Sequence, residues 1–208
     1  MELALFLGQV FFISFSGAMY PGPVTATALT LGSRSKFAGA EIALGHAVIE
    51  FPLMILIMLG MDRILQISLV KTGIGVVGGI LLMLMAYQMA RSAKSDIGDK
   101  SGAIERKPII AGLLLTASNP YFLLWWATIG LAMATKARSF GVAAFAMFTI
   151  AHWVTDLIWL SAISFASFAG SAIFGEKLQR IVFYICAAAM FVFGLKFIYD
   201  AAAVYVTG

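Results

Sequence analysis

Charged residues are scarce in this chain of 208 residues, since Asp, Glu, Lys and Arg together occupy only 12% of the positions. A soluble domain is about 25% charged and about half apolar, whereas 62% of the residues here are hydrophobic. The few charges lie between long neutral runs, a distribution typical of a polytopic membrane protein rather than of a large soluble core. The net charge of +4 fits basic membrane loops and requires no nucleic-acid partner.

Cysteine is almost absent. The single Cys186 cannot form a disulfide or a thiolate metal site within one chain, and we interpret it as a packed core thiol. The sequence indicates no cofactor, no resident metal and no enzymatic chemistry. The amino terminus has Glu2 and no Lys or Arg before its apolar run, so it predicts a retained first span rather than a cleaved signal peptide.

Long apolar runs take up most of the sequence. Each run exceeds the roughly 20 residues that a helix needs to cross a bilayer. The sequence therefore predicts an all-α polytopic membrane protein embedded in the lipid bilayer. Its six predicted transmembrane helices are Leu3–Leu31, Phe37–Gly60, Ser68–Ala90, Pro108–Ala134, Phe140–Gly170 and Leu178–Ala203.

Basic residues are unevenly divided between the two sides of these six spans. The first, third and fifth loops carry nine Lys and Arg residues, and the other side carries five. Basic loops stay in the cytoplasm, so both termini are predicted to lie outside.

A polar stretch at residues 92–107 divides the chain into two halves of three spans each, residues 1–91 and 108–208. We interpret this stretch as a solvated cytoplasmic linker. Because each half has an odd number of spans, repeated halves would face opposite sides of the membrane, as in many secondary transporters. The sequence thus predicts two inverted three-helix repeats.

Both halves have a break in their first span. In the first half the break is Pro21-Gly22-Pro23, followed by Thr25, and in the second it is Asn119-Pro120, followed by Tyr121. In each, a good N-cap residue precedes a proline at the first helical position, where proline is tolerated because its missing donor is unpaired anyway. Each break is therefore predicted to begin a new helix, although the alternative of a simple packing kink stays open.

The second span of each half carries a histidine four residues before an acid. These pairs are His46 with Glu50 and His152 with Asp156, and the spacing puts both members of a pair on one helix face. Ionisable residues inside a membrane span are expensive and usually functional. They are candidates for ion coupling or for binding a substrate ammonium group, and the alternative is that each histidine merely pairs with its own acid to join two helices.

The new helix starts supply the opposite charge. A helix amino terminus presents unpaired N–H groups and about half a positive charge, which suits a carboxylate. A small zwitterion would then find donors for its carboxylate at the breaks and Glu50 or Asp156 for its ammonium group. Chain length complicates the comparison, because Pro21 lies about 27 Å of helix from Leu3 whereas Asn119 lies only about 17 Å from Lys107. The first break would then lie nearer the cytoplasmic face.

The stretches "YPGPVTATALTLGSRSKFAGAEIALGH" and "SNPYFLLWW" resemble the LysE/RhtB superfamily of amino-acid exporters. That family carries Pro-Gly-Pro in its first span, a glycine-dotted stretch running into the second, and Asn-Pro in its fourth. The resemblance implies a six-span exporter in the inner membrane of a prokaryotic cell. It would move small amino acids or related metabolites outward, coupled to protons, and a homo-oligomer is compatible with it. One difference is Tyr121, where many members have lysine.

Two other functions must be weighed. Membrane thiol-disulfide carriers, which share the broad superfamily resemblance, need two cysteines and are excluded by the single one. Divalent metal efflux is the stronger alternative, since two histidines and two carboxylates can bind a cation through nitrogen and oxygen. A purely structural role is the least favoured.

Overall fold

The computed structural model describes residues 1–65, 67–94 and 107–207 of the chain. Within those ranges all regular secondary structure is helical. Most of the predicted linker at 92–107 lies outside the described residues. The described residues form nine α-helices, in chain order α1 Glu2–Ala18, α2 Pro23–Gly32, α3 Ala38–Leu56, α4 Asp62–Leu65, α5 Ser68–Lys94, α6 Pro108–Ala117, α7 Pro120–Trp125, α8 Leu131–Ser139 and α9 Val142–Thr207.

Two π-helical turns link neighbouring helices, the first of them across a kink at Gly60. Ile57–Met61 joins α3 to α4, and Trp126–Gly130 joins α7 to α8. Gly60 has a φ of 109° within the first of these turns, a left-handed backbone conformation that is open to glycine at no steric cost.

The predicted spans are confirmed as helices. Four uninterrupted segments are long and apolar enough to cross a membrane: Ala38–Met61, Ser68–Lys94, Val142–Gly170 and Lys177–Ala203. The first and fourth predicted spans are bent pairs, α1 with α2 at 77° and α6 with the Pro120–Ser139 segment at 57°. Counting each bent pair as one span gives the six that the sequence predicts.

The two membrane-length segments of α9 lie side by side. His152 in the first segment stacks on Trp125 at a ring-centroid distance of 4.8 Å. Phe193 in the second contacts Tyr121, one helical turn before Trp125, at 5.7 Å. A straight helix would separate residues 152 and 193 by about 60 Å. The chain therefore folds back between the two segments, and each crosses the bundle on its own.

Both breaks begin a helix as predicted. Gly22 is the extended N-cap of α2, with φ −149° and ψ −170°, and Pro23 is its first helical residue. Asn119 is the N-cap of α7 and Pro120 is its first residue. The helix breakers thus lie where their missing donors cost least, and the bends follow from the extended N-cap residues.

Glycines let α3 approach its neighbours to backbone contact. A Cβ on Gly45 would lie 1.9 Å from the carbonyl oxygen of Ile109 in α6, and one on Gly112 would lie 2.1 Å from that of Ile42. A Cβ on Gly39 would lie 1.9 Å from the Leu160 oxygen in α9. Such close crossings of small residues are the usual packing mode in membranes. They place His46 against α6 and fix α3 beside the first segment of α9.

A second set of small residues packs α5 on the last span. A Cβ on Gly79 would lie 2.7 Å from the carbonyl oxygen of Gly194, and one on Gly75 would lie 2.9 Å from the Ala201 methyl group. The G-x-x-x-G pair in α5 therefore serves close helix packing, as its spacing indicates.

The outer surface of the bundle is apolar. Large side chains such as Leu69 and Leu59 are 81% and 78% exposed, as expected of positions that face lipid. The interior holds a cluster of aromatic and aliphatic side chains around Trp126, which is 1% exposed. The buried polar groups described below lie beside this cluster.

Candidate functional site

A cavity of about 80 Å³ lies where the two breaks meet the histidine and acid pairs. Eight of the eleven candidate residues line it: Gly22, Thr25, His46, Glu50, Asn119, Tyr121, His152 and Asp156. Pro21, Pro23 and Pro120 do not line it, and they lie in the backbone at the two breaks. Both halves of the chain therefore contribute to one central cavity, a convergence that spacing along the sequence could not establish.

The two breaks lie at the same level of the bundle. Tyr20 and Tyr121, each beside its break, stack with ring centroids 3.7 Å apart and planes inclined by 7°. Ten residues of α2 follow the first break and ten residues of α6 precede the second, about 15 Å of helix in each case. The bend between α1 and α2 removes the discrepancy that a straight first span implied.

Glu50 is the centre of the site. Its side chain is 1% exposed, and its Oε1 atom faces three nitrogen atoms. Trp126 donates its indole N–H to Oε1 at 3.3 Å. The Nε2 atom of His46 lies 3.1 Å away and that of His152 3.0 Å away. His46 pairs with its own acid, but His152 lies closer to Glu50 than to Asp156, so both histidines converge on Glu50.

The orientation of His46 follows from the crossing of α3 and α6. The Thr116 hydroxyl lies 2.7 Å from the carbonyl oxygen of Gly112 and 2.8 Å from His46 Nδ1, and when it donates to the carbonyl it accepts from Nδ1. This assigns the proton to Nδ1 of His46. The Nε2 atom then faces Glu50, and a hydrogen bond between the two requires one proton, carried by either partner.

His152 is held between a hydroxyl and two indoles. Ser14 of α1 lies 2.6 Å from Nδ1, and the rings of Trp125 and Trp126 pack at 4.8 Å and 5.2 Å. If Ser14 donates to Nδ1, the neutral ring carries its proton on Nε2 and donates to Glu50. All the contacts are then satisfied when His46 and Glu50 share a single proton. Loss of that proton would leave the lone pair of His46 Nε2 facing the Glu50 carboxylate at 3.1 Å.

Asp156 is less firmly engaged than Glu50. Its Oδ2 atom lies 3.8 Å from His46 Nε2 and 4.0 Å from His152 Nε2. This atom and Glu50 Oε2 are buried and have no hydrogen-bond partner among the described residues. Buried acceptors are rarely left unpaired, so a donor with several N–H groups, such as an ammonium group, fits this part of the cavity.

The two helix starts differ in what they offer a ligand. Tyr121 donates its backbone N–H to Asn119 Oδ1 at 3.1 Å, so the first donor of α7 is already used. Gly22 provides no side-chain cap for α2. The first helical hydrogen bond of α2 runs from the Ala26 N–H to the Gly22 carbonyl oxygen. The backbone N–H groups of Val24 and Thr25 precede it in the first turn and have no acceptor within the helix. The start of α2 is therefore the better anion site. The nearby Tyr20 hydroxyl is buried and has no partner among the described groups.

A cation site can also be built from this set. His46, Glu50 and Asp156 each offer one ligand atom, and those atoms lie within 4.8 Å of one another. Imidazole and carboxylate suit zinc and similar divalent metals. The separation of 3.1 Å between His46 and Glu50 is that of a hydrogen bond, so a metal would have to displace the proton they share.

Three contributing residues were not candidates on sequence grounds: Ser14, Tyr20 and Thr116. Ser14 and Thr116 are isolated hydroxyl residues within apolar spans, which is a weak signal because such groups commonly bond to their own helix. Tyr20 directly precedes the Pro21-Gly22-Pro23 break, but only its ring contact with Tyr121 shows that it reaches the cavity.

Comparisons with known proteins place most of the chain in one family. The family described as LysE type translocator matches residues 15–201. The chain is 25% identical over 184 residues to "Putative amino acid efflux protein YcgF" of Bacillus subtilis (strain 168), covering 86% of this chain and 88% of that protein. No solved structure matches significantly.

Proposed function

The chain belongs to the LysE type translocators, and from this premise we propose that it exports small zwitterionic amino acids or related metabolites by proton-coupled antiport. The observation that carries the proposal is the buried carboxylate of Glu50, held by two histidines beside a cavity at two helix breaks. The name of the Bacillus relative, an amino acid efflux protein, supports the same substrate class.

The cavity offers complementary groups to the two ends of an α-amino acid. The uncapped start of α2 presents the backbone N–H groups of Val24 and Thr25 to a carboxylate. Glu50 and Asp156 present unpaired oxygens to an ammonium group. The walls between them include Phe122 and Trp125, so a small apolar side chain is accommodated and a charged one would have to be buried unpaired.

Coupling follows from competition for Glu50. In the arrangement described, one proton lies between Glu50 and His46. An arriving ammonium group brings its own charge and donors, and the proton is then no longer needed to hold the carboxylate. Substrate and proton thus bind in mutually exclusive states. If the cavity switches between the two sides of the membrane only when it holds either substrate or proton, the two are carried in opposite directions.

The proposed exchange also needs a cycle of access. We assign residues 1–91 and 108–208 to two inverted repeats that rock about the central cavity, with both termini outside an inner membrane of a prokaryotic cell. The bends at the two breaks, 77° and 57°, are the points at which such rocking can be absorbed. A homo-oligomer is compatible with this cycle and is not required by it.

Proteoliposomes test the proposal. Vesicles loaded with a radiolabelled neutral amino acid should release it faster when a proton gradient drives protons inward, and collapse of the gradient with a protonophore should remove the stimulation. The matching amine without a carboxylate and the matching acid without an amine should compete poorly. Release that ignores the proton gradient would contradict antiport, and equal competition by the amine would contradict the zwitterion site.

Divalent metal efflux is the second candidate, favoured only by the cluster of His46, Glu50 and Asp156. Titration of detergent-solubilised protein with zinc or manganese distinguishes the two. Tight binding that is lost in His46→Ala, together with absent amino-acid exchange, would replace the proposal by metal efflux. Thermal stabilisation by amino acids and not by metals would favour the proposal, because a ligand of the folded state stabilises it.

A further inference from the structure

A second cavity, of about 440 Å³, adjoins the central one. It lies between α5, the α7 helix with its π turn, and the last span of α9. Tyr121 and Trp125 line both cavities. The two spaces are therefore separated in part by a wall of two aromatic side chains, and a molecule leaving the central cavity past Tyr121 would enter the second.

The second cavity is lined by both charged and aromatic side chains. Lys71, Lys196 and Asp200 contribute charged groups, and Lys196 pairs with Asp200 one helical turn away. Phe193 and Phe197 alternate with this half-exposed ion pair along the same helix and contact Tyr121. Cationic, anionic and aromatic groups in one space match an α-amino acid with an apolar side chain.

Tyr121 is positioned by ring contacts on both sides. Its ring stacks on Tyr20 at 3.7 Å, and it also meets Phe193 at 5.7 Å and Phe197 at 6.4 Å. Its backbone N–H donates to Asn119 Oδ1, which holds the main chain, while the side chain is held by ring contacts and by packing on the cluster of Tyr20, Leu82, Ala86 and Met190. Rotation of this one side chain would connect the two cavities without unfolding the helix start.

We propose that the cavity bounded by Lys71, Lys196 and Phe197 is a second binding site for the transported amino acid, and that Tyr121 is the partition between it and the central site. The proposal rests on the proposed function for the identity of the ligand. The carboxylate of the amino acid binds Lys196 or Lys71, its ammonium group binds Asp200, and its side chain lies against Phe193 and Phe197. The shared wall favours this occupant over a lipid headgroup, which has no need of a passage to the central cavity.

Thiol labelling tests the second site without requiring transport. In a Cys186→Ala background, Thr72→Cys reports on the second cavity. A membrane-impermeant thiol reagent should modify it in sealed vesicles of known orientation, and a neutral amino acid should protect it. The concentration that gives half protection should rise about tenfold in Lys196→Gln, the loss of one hydrogen bond to a charged group, and return in Lys196→Arg. Lys177→Gln, outside the cavity, is the matched control and should change nothing.

A second reporter, Ala18→Cys, lies in the central cavity and tests the partition. Reagent added from the side of the second cavity should label it at least about tenfold faster in Tyr121→Ala than in the parent or in Tyr121→Phe, which keeps the ring. Tyr87→Ala, on the exposed face of α5, is the control for losing a tyrosine. Thermal melting of each variant confirms that labelling reports on a folded bundle.

The outcomes separate this proposal from the proposed function. Protection of Thr72→Cys by anionic phospholipid and not by amino acid would overturn the second site and identify a lipid site instead. If Ala18→Cys were labelled at the same rate in the parent and in Tyr121→Ala, the role of Tyr121 as the partition would be overturned. Either result leaves proton-coupled exchange intact, whereas a protein that shows protection but no proton dependence would keep the second site and contradict antiport.

Discussion

Replacing Glu50 by glutamine is the most direct perturbation of the central site. The substitution keeps the size of the side chain and removes its charge. Oε1 faces Trp126 at 3.3 Å and the two histidines at 3.1 Å and 3.0 Å, while Oε2 has no partner among the described groups. An amide can accept at Oε1, but its NH₂ group meets an ammonium group as a repelling donor.

The size of the effect follows from these contacts. A hydrogen bond to a charged group contributes about 1.5–3 kcal/mol, so losing the one between Glu50 and the substrate ammonium should weaken binding about 10- to 100-fold. Stability should change by only about 1 kcal/mol, because weaker hydrogen bonds and the relieved cost of burying a carboxylate act in opposite directions. The variant should therefore fold, bind poorly and lose the response of exchange to a proton gradient.

The assay combines equilibrium binding in detergent with exchange in proteoliposomes at imposed proton gradients. Glu41→Gln is the matched control, since Glu41 lies in the first turn of the same helix outside the cavity. Asp156→Asn should raise the substrate KM but keep the proton response, because its carboxylate is 3.8 Å or more from either histidine. Wild-type affinity and proton dependence in Glu50→Gln would refute the role of Glu50 as the coupling group.

Two further predictions concern the backbone that supports the site. Gly45→Ala should lower thermal stability by about 1–3 kcal/mol and impair transport, because its Cβ would lie 1.9 Å from the Ile109 oxygen; Gly73→Ala, with open space around it, is the control. Equal melting temperatures for the two would contradict the close crossing of α3 and α6. Pro23→Ala should impair transport more than expression, because alanine lets the helix extend into the break. Pro108→Ala is the control and should transport normally, since Pro108 is also at a first helical position but lies away from the cavity. Normal transport by Pro23→Ala would remove the start of α2 from the substrate site.

Much of the fold could be read locally. Apolar runs of membrane length, separated by charged loops, determined six spans. A helix forms its backbone hydrogen bonds within itself, which the hydrocarbon core of a membrane requires because it offers no water. Pro23 and Pro120 marked new helix starts because proline is tolerated at the first helical position and not within a helix. The i, i+4 spacing likewise put His46 with Glu50 and His152 with Asp156 on single helix faces.

The tertiary structure decided which of these groups meet. Both histidines bind one oxygen of Glu50, Asp156 lies at the edge, and Asn119 closes its own helix start while Gly22 leaves the other open. These relations depend on helix crossings at Gly45 and Gly112 and on the 77° bend of the first span. Sequence spacing fixes contacts within a helix, whereas contacts between residues 46, 116 and 152 depend on how helices far apart in the chain pack together.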